Sequence, residues 1–385
     1  MTNIPLSQRG EIRLGFRCNA RCGFCYYQEL LDNPKDKEPT TEQLMSQLRV
    51  LRQIGATEVE FTGGEPTIRH DLVQLTNYAR ALGFINISLI TNGLRLANSR
   101  FAEAVVEAGI NDVLFSIHGH TSELHDAHTR TAGSFARIMR GLRNCQALGV
   151  RCRSSTTITA RNHIHTKEIV GLLLDLDVAC IHLAVFSPVA QANGTDPSML
   201  MKYSDAAASI KAAIDYHRPR LPPLSVKYIP FCFMRGYEQY VMNLYQQSFD
   251  PDDWNYYYSN RVRRAGTRLG GLLFDTVVLA GSLFARTWSV PARYGIRGVK
   301  VFGLTRIVEF LRKKRLPACR NCAYDIVCDH VWKEYANRYG TSEIAPIPGP
   351  KVEHPAWNYM MARTRQAGVR LSPHQVSRHV ETPSR

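Results

Sequence analysis

Between residues 11 and 188, short apolar runs rich in β-branched and aromatic residues alternate with longer stretches whose apolar positions recur every three to four residues. The first pattern fits buried strands and the second fits helices with one covered face. Strands are predicted at 11–16, 58–62, 85–91, 112–117, 152–159 and 180–186, with helices between them at 41–54, 71–82, 99–108, 134–148 and 166–174. Gly55, Gly83, Gly109 and Gly149 each stand just past one of these helices, where a left-handed C-cap favours glycine. Regular strand–helix alternation builds a parallel sheet with its working loops at the C-terminal strand ends. Six such units are too few for a closed eight-stranded barrel. The expected fold is therefore α/β: a partial (β/α)6 TIM-like barrel, open on one side, with a C-terminal extension.

After Pro188 the alternation stops. Residues 188–227 read as a linker with one helix at 205–217 and a proline-rich turn at 221–224. The stretch 269–285 is mostly apolar, with Asp275 inside it and arginines at both flanks. It is too short and too interrupted to span a bilayer; a buried helix pair is expected, with a peripheral membrane contact as the alternative. Residues from about 371 onward read as a disordered tail. The expected domains are a core at 1–190, a linker and basic helical region at 191–318, a cysteine-bearing segment at 319–345 and a tail at 346–385.

Composition sharpens this picture in two places. Ten cysteines without an apolar signal ahead of the first of them point to a reducing cytoplasm, where spaced thiols are metal ligands more often than disulfides. The net charge of +15 is concentrated: thirteen Lys/Arg between Arg261 and Arg315 face only Asp275 and Glu309. Such a stretch is either a solvated basic face or a surface for something anionic, such as a phosphorylated substrate, an acidic protein or lipid headgroups. With no RNA-recognition motif or stacking platform, nucleic acid is not expected.

Chemistry gathers on one predicted rim. CNARCGFC follows the first strand, TGGEP the second, TNG the third and SIHGH the fourth. Cys18, Cys22 and Cys25, spaced C-x3-C-x2-C on one loop, can converge on a single centre. Soft thiolates suit zinc, copper(I) or an iron–sulfur cluster. A structural zinc site closes all four positions, whereas a cubane with three cysteines keeps one iron open. Gly63 and Gly64 leave backbone uncovered for a polar ligand, and Pro66 sets the loop's exit. Glu65 reads as an acceptor for an ammonium group or as a surface carboxylate. Phe24, Tyr26 and Tyr27 can stack on an adenine, although Tyr27 is better explained as core packing. Asn92 reads as a turn residue. His118, His120, His125 and His128 fit a pocket or structural role better than a metal site. Cys145, Cys152 and Cys180 read as small buried hydrophobes.

C-x3-C-x2-C with an aromatic residue before the last cysteine, followed by GGEP after the second strand, resembles the radical S-adenosylmethionine superfamily. The resemblance covers roughly residues 10 to 190. It implies that Cys18, Cys22 and Cys25 hold a [4Fe–4S] cluster whose open iron is chelated by S-adenosylmethionine. Reductive cleavage then gives a 5′-deoxyadenosyl radical that takes hydrogen from a substrate. It implies cofactor contacts from Phe24, Gly63, Gly64, Glu65, Pro66 and Ser116, and a flavodoxin or ferredoxin as electron donor.

A second group, Cys319-x2-Cys322-x5-Cys328, again has metal-ligand spacing and needs a fourth soft ligand, for which Cys232 is the best candidate. It resembles the SPASM/twitch-type extension, which implies a second, auxiliary [4Fe–4S] cluster; zinc is the competitor. The resemblance departs at His330, where relatives often carry glycine two residues after the last cysteine. Only seventeen residues precede Cys18, leaving no room for the peptide-recognition domain of many peptide maturases. The expected substrate is accordingly a small or phosphorylated metabolite, with a peptide or protein maturase as the alternative. A non-catalytic iron–sulfur or zinc protein is the remote third reading.

Overall fold

A computed structural model describes residues 5–27, 38–186, 196–264, 268–282 and 294–356. The chain divides into two compact units: Gln8–Ser225, and Met1–Ser7 together with Val226–Arg385.

In the first unit β1 (Arg9–Arg13), β2 (Glu58–Thr62), β3 (Asn86–Thr91), β4 (Asp112–Ser116), β5 (Arg151–Ile158) and β6 (Ile181–Val185) pair in parallel, each with the next. Between them run α1 (Thr41–Gln53), α2 (Leu72–Ala81), α3 (Ser99–Ala108), α4 (Ser122–Thr129), α5 (Ser134–Ala147) and α6 (Thr166–Asp175), followed by α7 (Tyr203–His217). Local chemistry sets several helix starts. Thr40 and Gln43 form a capping box at α1, and Asn98 and Thr121 accept from the backbone at the starts of α3 and α4. Gly55, Gly83, Gly109 and Gly149 all have positive φ.

The sheet is a curled half-barrel, and it corrects the strand count. A seventh strand, β7 (Leu224–Lys227), lies beside β6 in the sheet order, where a linker and turn were expected. Its four residues alternate apolar and polar but are few and follow two prolines, a turn signal; pairing makes the strand, beginning with the Ile181 N–H on the Pro223 carbonyl. The short helix α4, within the stretch after β4, was also not foreseen.

The strands carry a buried ionic layer. Arg153 donates to Asp112 (2.7 Å) and Glu60 (2.9 Å), Arg9 lies 3.3 Å from Asp112, and Ser88 donates to Glu60 (3.2 Å). Two guanidinium groups and two carboxylates at 2% exposure or less balance one another. That pairing is what permits them to be buried at all.

The second unit holds α8 (Leu244–Gln247), α9 (Tyr256–Arg264), α10 (Arg268–Ser282), α11 (Gly295–Arg312), the two-stranded β8 (Lys313–Lys314) and β9 (Val331–Trp332), and α12 (Lys333–Tyr339). The described part of the stretch read as a buried helix pair, up to Ser282, forms one helix, α10, packed on α11. Its outer side is exposed: Leu272, Leu273 and Val277 are 57%, 60% and 59% accessible. Among the described residues no helix is long and apolar enough to cross a membrane. The tail from 371 onward lies outside the described residues.

Candidate active site

The loop after β1 is anchored at both ends, which sets where its thiols stand. At its start the β1–β2 pairing runs on past the strand. The Leu14 N–H donates to the Thr62 carbonyl, Gly64 N–H to Gly15 and Glu65 N–H to Arg17, each at 2.8 Å. Side chains are excluded from this seam: a Cβ on Gly63 would collide with the Gly15 carbonyl, and one on Gly64 with those of Arg17 and Phe16. Gly63 also has φ +130°. The two glycines thus permit the close approach of two loops, and Gly64 also lines an adjoining cavity. Glu38 completes the start, its carboxylate accepting from Phe16 N–H (3.0 Å) and Arg17 N–H (2.9 Å).

At the far end, Arg21 N–H and Gly23 N–H donate to the Thr129 and His128 carbonyls (3.1 Å each), closing the loop onto the end of α4. The Gly23 carbonyl accepts from Asp196 N–H (2.9 Å). Asp196 in turn pairs with Arg130 and Arg161, each at 2.9 Å. Nothing in the local sequence flagged Glu38 or Asp196, whose parts in the loop depend on contacts distant along the chain.

Between these anchors Cys18, Cys22 and Cys25 are free and half-buried. Burial and their mutual proximity push the thiols up, Cys18 to about 11 and the other two also above the ordinary range; for Cys25 burial alone is the lifting cause. Ala20 N–H (3.4 Å) and the Asn92 amide (3.8 Å) point at Cys18 Sγ, and the same Asn92 amide donates to Asn19 Oδ1 (2.8 Å). Asn92, read as a turn residue, thus also touches the thiol loop. These are the donor groups that stabilise a metal-bound thiolate. Among the described residues no three His, Cys, Asp or Glu side chains gather tightly enough to share one metal ion.

Glu65 is 3% exposed and is no surface carboxylate. It accepts from Thr67 N–H (3.0 Å), Thr67 Oγ1 (2.6 Å), Thr91 Oγ1 (2.6 Å) and Asn92 N–H (2.7 Å). Burial raises its pKa against the pull of those donors. It ties the loops after β2 and β3 together behind the thiols. Pro66 opens a short 3-10 helix, Pro66–Ile68, and is buried. Ser116 ends β4, half-buried, in register with Ser155 of β5. A cavity of about 1160 Å³ opens beside Arg17, Thr40, Gly64 and Arg69, but none of the three cysteines lines it.

Phe24 packs its edge on His118 (4.6 Å) and lies 6.3 Å from His128. Tyr27 is buried against Phe16 and Arg13. The histidines behind Phe24 are structural and neutral. His118 Nδ1 accepts from Thr157 N–H and His125 Nδ1 accepts from His118 N–H, both at 3.1 Å. His128 Nδ1 faces the Leu124 carbonyl at 2.9 Å and so carries the proton. Burial first, then the neighbouring imidazoles, drives His118 far below its usual range and His125 to about 4. His120 stands apart, 5.2 Å from His165.

The second unit brings Cys232, Cys319, Cys322 and Cys328 onto one small cavity of about 20 Å³, with Asp325 and His330 also on its wall. Cys232 comes from the 3-10 helix Phe231–Met234, held by Phe231 stacking on Tyr324 (4.7 Å). Backbone N–H groups of Ile347 (3.4 Å) and His330 (3.3 Å) donate to the sulfurs of Cys322 and Cys328. Burial, and then Cys322 and Cys319, push Cys232 up to about 12; burial, and then Cys232, also raise Cys328 well above the ordinary thiol range. His330 has φ +61°, the left-handed backbone that favours glycine. Its ring bridges Glu309 (3.0 Å) and Asp325 (3.2 Å), contacts that hold the turn where glycine would need none. Cys145, Cys152 and Cys180 are buried, Cys180 lying 3.4 Å from His182.

A half-barrel with a three-thiol loop pinned to a Gly-Gly-Glu seam on its rim defines a class of iron–sulfur fold. Residues 12–176 match the Radical SAM superfamily, and this part of the chain is a domain of that kind. It is 32% identical over 175 residues to the AdoMet-dependent heme synthase of Oleidesulfovibrio alaskensis, a match covering 46% of this chain and 44% of that one. It is 35% identical over 157 residues to the Fe-coproporphyrin III synthase of Methanosarcina barkeri, covering 41% and 38%. The match thus spans less than half of either relative. Among solved structures, native anSMEcpe with bound AdoMet and the Cp18Cys peptide aligns over 97% of this chain and 99% of that one, with TM-score 0.51 and 14% identity. At that identity the likeness is one of fold alone.

Proposed function

We propose that the protein is a radical S-adenosylmethionine enzyme acting on a small or phosphorylated metabolite in a reducing, cytoplasmic setting. The carrying observation is the thiol loop itself: three free cysteines within eight residues at the C-terminal end of β1, with N–H donors aimed at Cys18. A [4Fe–4S] cluster on Cys18, Cys22 and Cys25 supplies the electron that cleaves bound S-adenosylmethionine to methionine and a 5′-deoxyadenosyl radical. The chain's own part is positional. The Gly63–Gly64 seam and the His128 and Thr129 carbonyls hold the loop ends, Glu65 locks the loops behind it, and Phe24 and Ser116 are assigned as cofactor contacts. Domain membership supports the cofactor pair. The two relatives named as synthases of haem and Fe-coproporphyrin III support a small-molecule substrate. A flavodoxin or ferredoxin would deliver the electron.

We further assign an auxiliary [4Fe–4S] cluster to Cys232, Cys319, Cys322 and Cys328. The shared cavity and the two N–H donors to sulfur support that assignment. The test is anaerobic purification, reconstitution with iron and sulfide, and measurement of iron together with 5′-deoxyadenosine released by dithionite and S-adenosylmethionine. About eight irons are expected, falling to about four without 5′-deoxyadenosine in a Cys18/Cys22/Cys25→Ala variant. About four irons with activity intact would replace the auxiliary cluster with zinc. Failure to bind either iron or S-adenosylmethionine would remove the whole assignment.

A further inference from the structure

The helix α10 presents a difficulty that the rest of the fold does not resolve. Its inner face is complete. Gly271, Phe274, Val278 and Ser282 are buried, and α11 comes so close that a Cβ on Gly303 would collide with the Val278 carbonyl. The opposite arc consists of Leu272, Leu273, Thr276, Val277 and Ala280, all exposed. These positions fall on one side of the helix at its 3.6-residue period, and none is charged. Asp275 lies outside that arc and is already satisfied by Arg261 (3.0 Å), Lys300 (2.8 Å) and the Tyr257 hydroxyl (2.9 Å).

The exposure is concentrated. Of the eleven large hydrophobic side chains exposed among the described residues, six lie on α10 and α11: Leu272, Leu273, Val277, Ile296, Phe310 and Leu311. The other five are spread singly over the first unit, as is ordinary for a protein surface. The surrounding stretch is the basic one, and both of its acids are engaged internally, Glu309 by Arg306, Tyr245 and His330. Arg263, Arg312 and Lys314, on the same basic stretch, are exposed. A solvated basic face would not expose three large aliphatic residues on one uncharged arc. A second copy would bring two basic surfaces together, which like charge opposes.

We propose that the outer face of α10 is a docking surface for a bilayer rich in anionic lipid. Leu272, Leu273 and Val277 enter the headgroup boundary while the flanking lysines and arginines meet lipid phosphates. The helix lies in the plane of the interface and does not cross it. This inference is independent of the radical chemistry and can fail without it.

The test uses the full reconstituted chain with vesicles of phosphatidylcholine alone or with about one third phosphatidylglycerol, read by co-sedimentation. Binding at least tenfold tighter to the anionic vesicles, weakened by 0.5 M salt, is expected. A Leu273→Asp/Val277→Asp variant should lose at least tenfold in vesicle affinity while keeping its circular dichroism and iron content. Both substitutions lie on the exposed arc. No binding to anionic vesicles, or binding that the variant leaves unchanged, overturns the proposal. So does a dimer that the variant dissociates, or capture of an acidic flavodoxin by this face, without vesicle binding.

Discussion

At the scale of single residues, the site is held by side chains whose own hydrogen bonds tie neighbouring loops together. Glu65 is the clearest case. Its four donors come from Thr67, Thr91 and Asn92, so the carboxylate works as an acceptor on every side. Glu65→Gln replaces one acceptor oxygen with an NH2 group facing a buried donor. The expected loss is about 1–3 kcal/mol of stability, read as a lower urea midpoint, together with poorer iron retention on the N-terminal loop. An unchanged midpoint would mean that this acceptor cage does not form in solution. The three thiols were legible because cysteine spacing is a local property of the chain. The burial of Glu65 was not, because two of its four donors, from Thr91 and Asn92, come from the end of β3 and the loop after it. Gly63 and Gly64 were legible as positions where side chains are excluded, but what excludes them is the Cys18 loop's own backbone.

At the scale of elements, local pattern carried the helices and central strands to within a few residues, and failed where tertiary contacts decide. β7 is a strand only because β6 lies beside it, and α4 was hidden among polar residues and histidines. Those histidines give the region a defined acid response. His118, His125 and His128 all have pKa values lowered in the fold, chiefly by burial. A histidine lowered on folding is neutral in the native state while the unfolded chain takes up a proton near pH 6.5. Stability is therefore full above pH 6.5 and falls as the pH drops towards 4. For His125, at about 4 in the fold, the loss reaches ~3 kcal/mol at the bottom of that window. Denaturant midpoints measured from pH 7.5 down to 4.5 should show this slope. His125→Gln, which keeps an acceptor for the His118 N–H, should flatten it. A profile identical to the parent's would place the acid sensitivity elsewhere.

At the scale of the whole molecule, the two cysteine groups differ in what a metal would do for the chain. Cys18, Cys22 and Cys25 lie within eight residues, so a cluster there closes almost no loop. The loop is already held by backbone hydrogen bonds at both ends. Cys232 and Cys319 are 87 positions apart, and a cluster joining them removes the entropy of a long unfolded segment. Without metal that closure rests on contacts such as the Phe231–Tyr324 stack, the Gln246 amide on the Val327 carbonyl (2.8 Å), the Leu244 N–H on Asp329 (2.9 Å) and Arg235 on the Pro346 carbonyl (3.0 Å). Removing iron should therefore loosen the unit from Val226 onward much more than the unit Gln8–Ser225. Hydrogen exchange on the chelated and reconstituted protein would show this directly. Protection should rise on reconstitution in peptides covering 230–236 and 316–347, and change little in 9–16 and 86–117. Equal gains in both units, or none near Cys232, would mean that Cys232 does not share a metal centre with Cys319, Cys322 and Cys328.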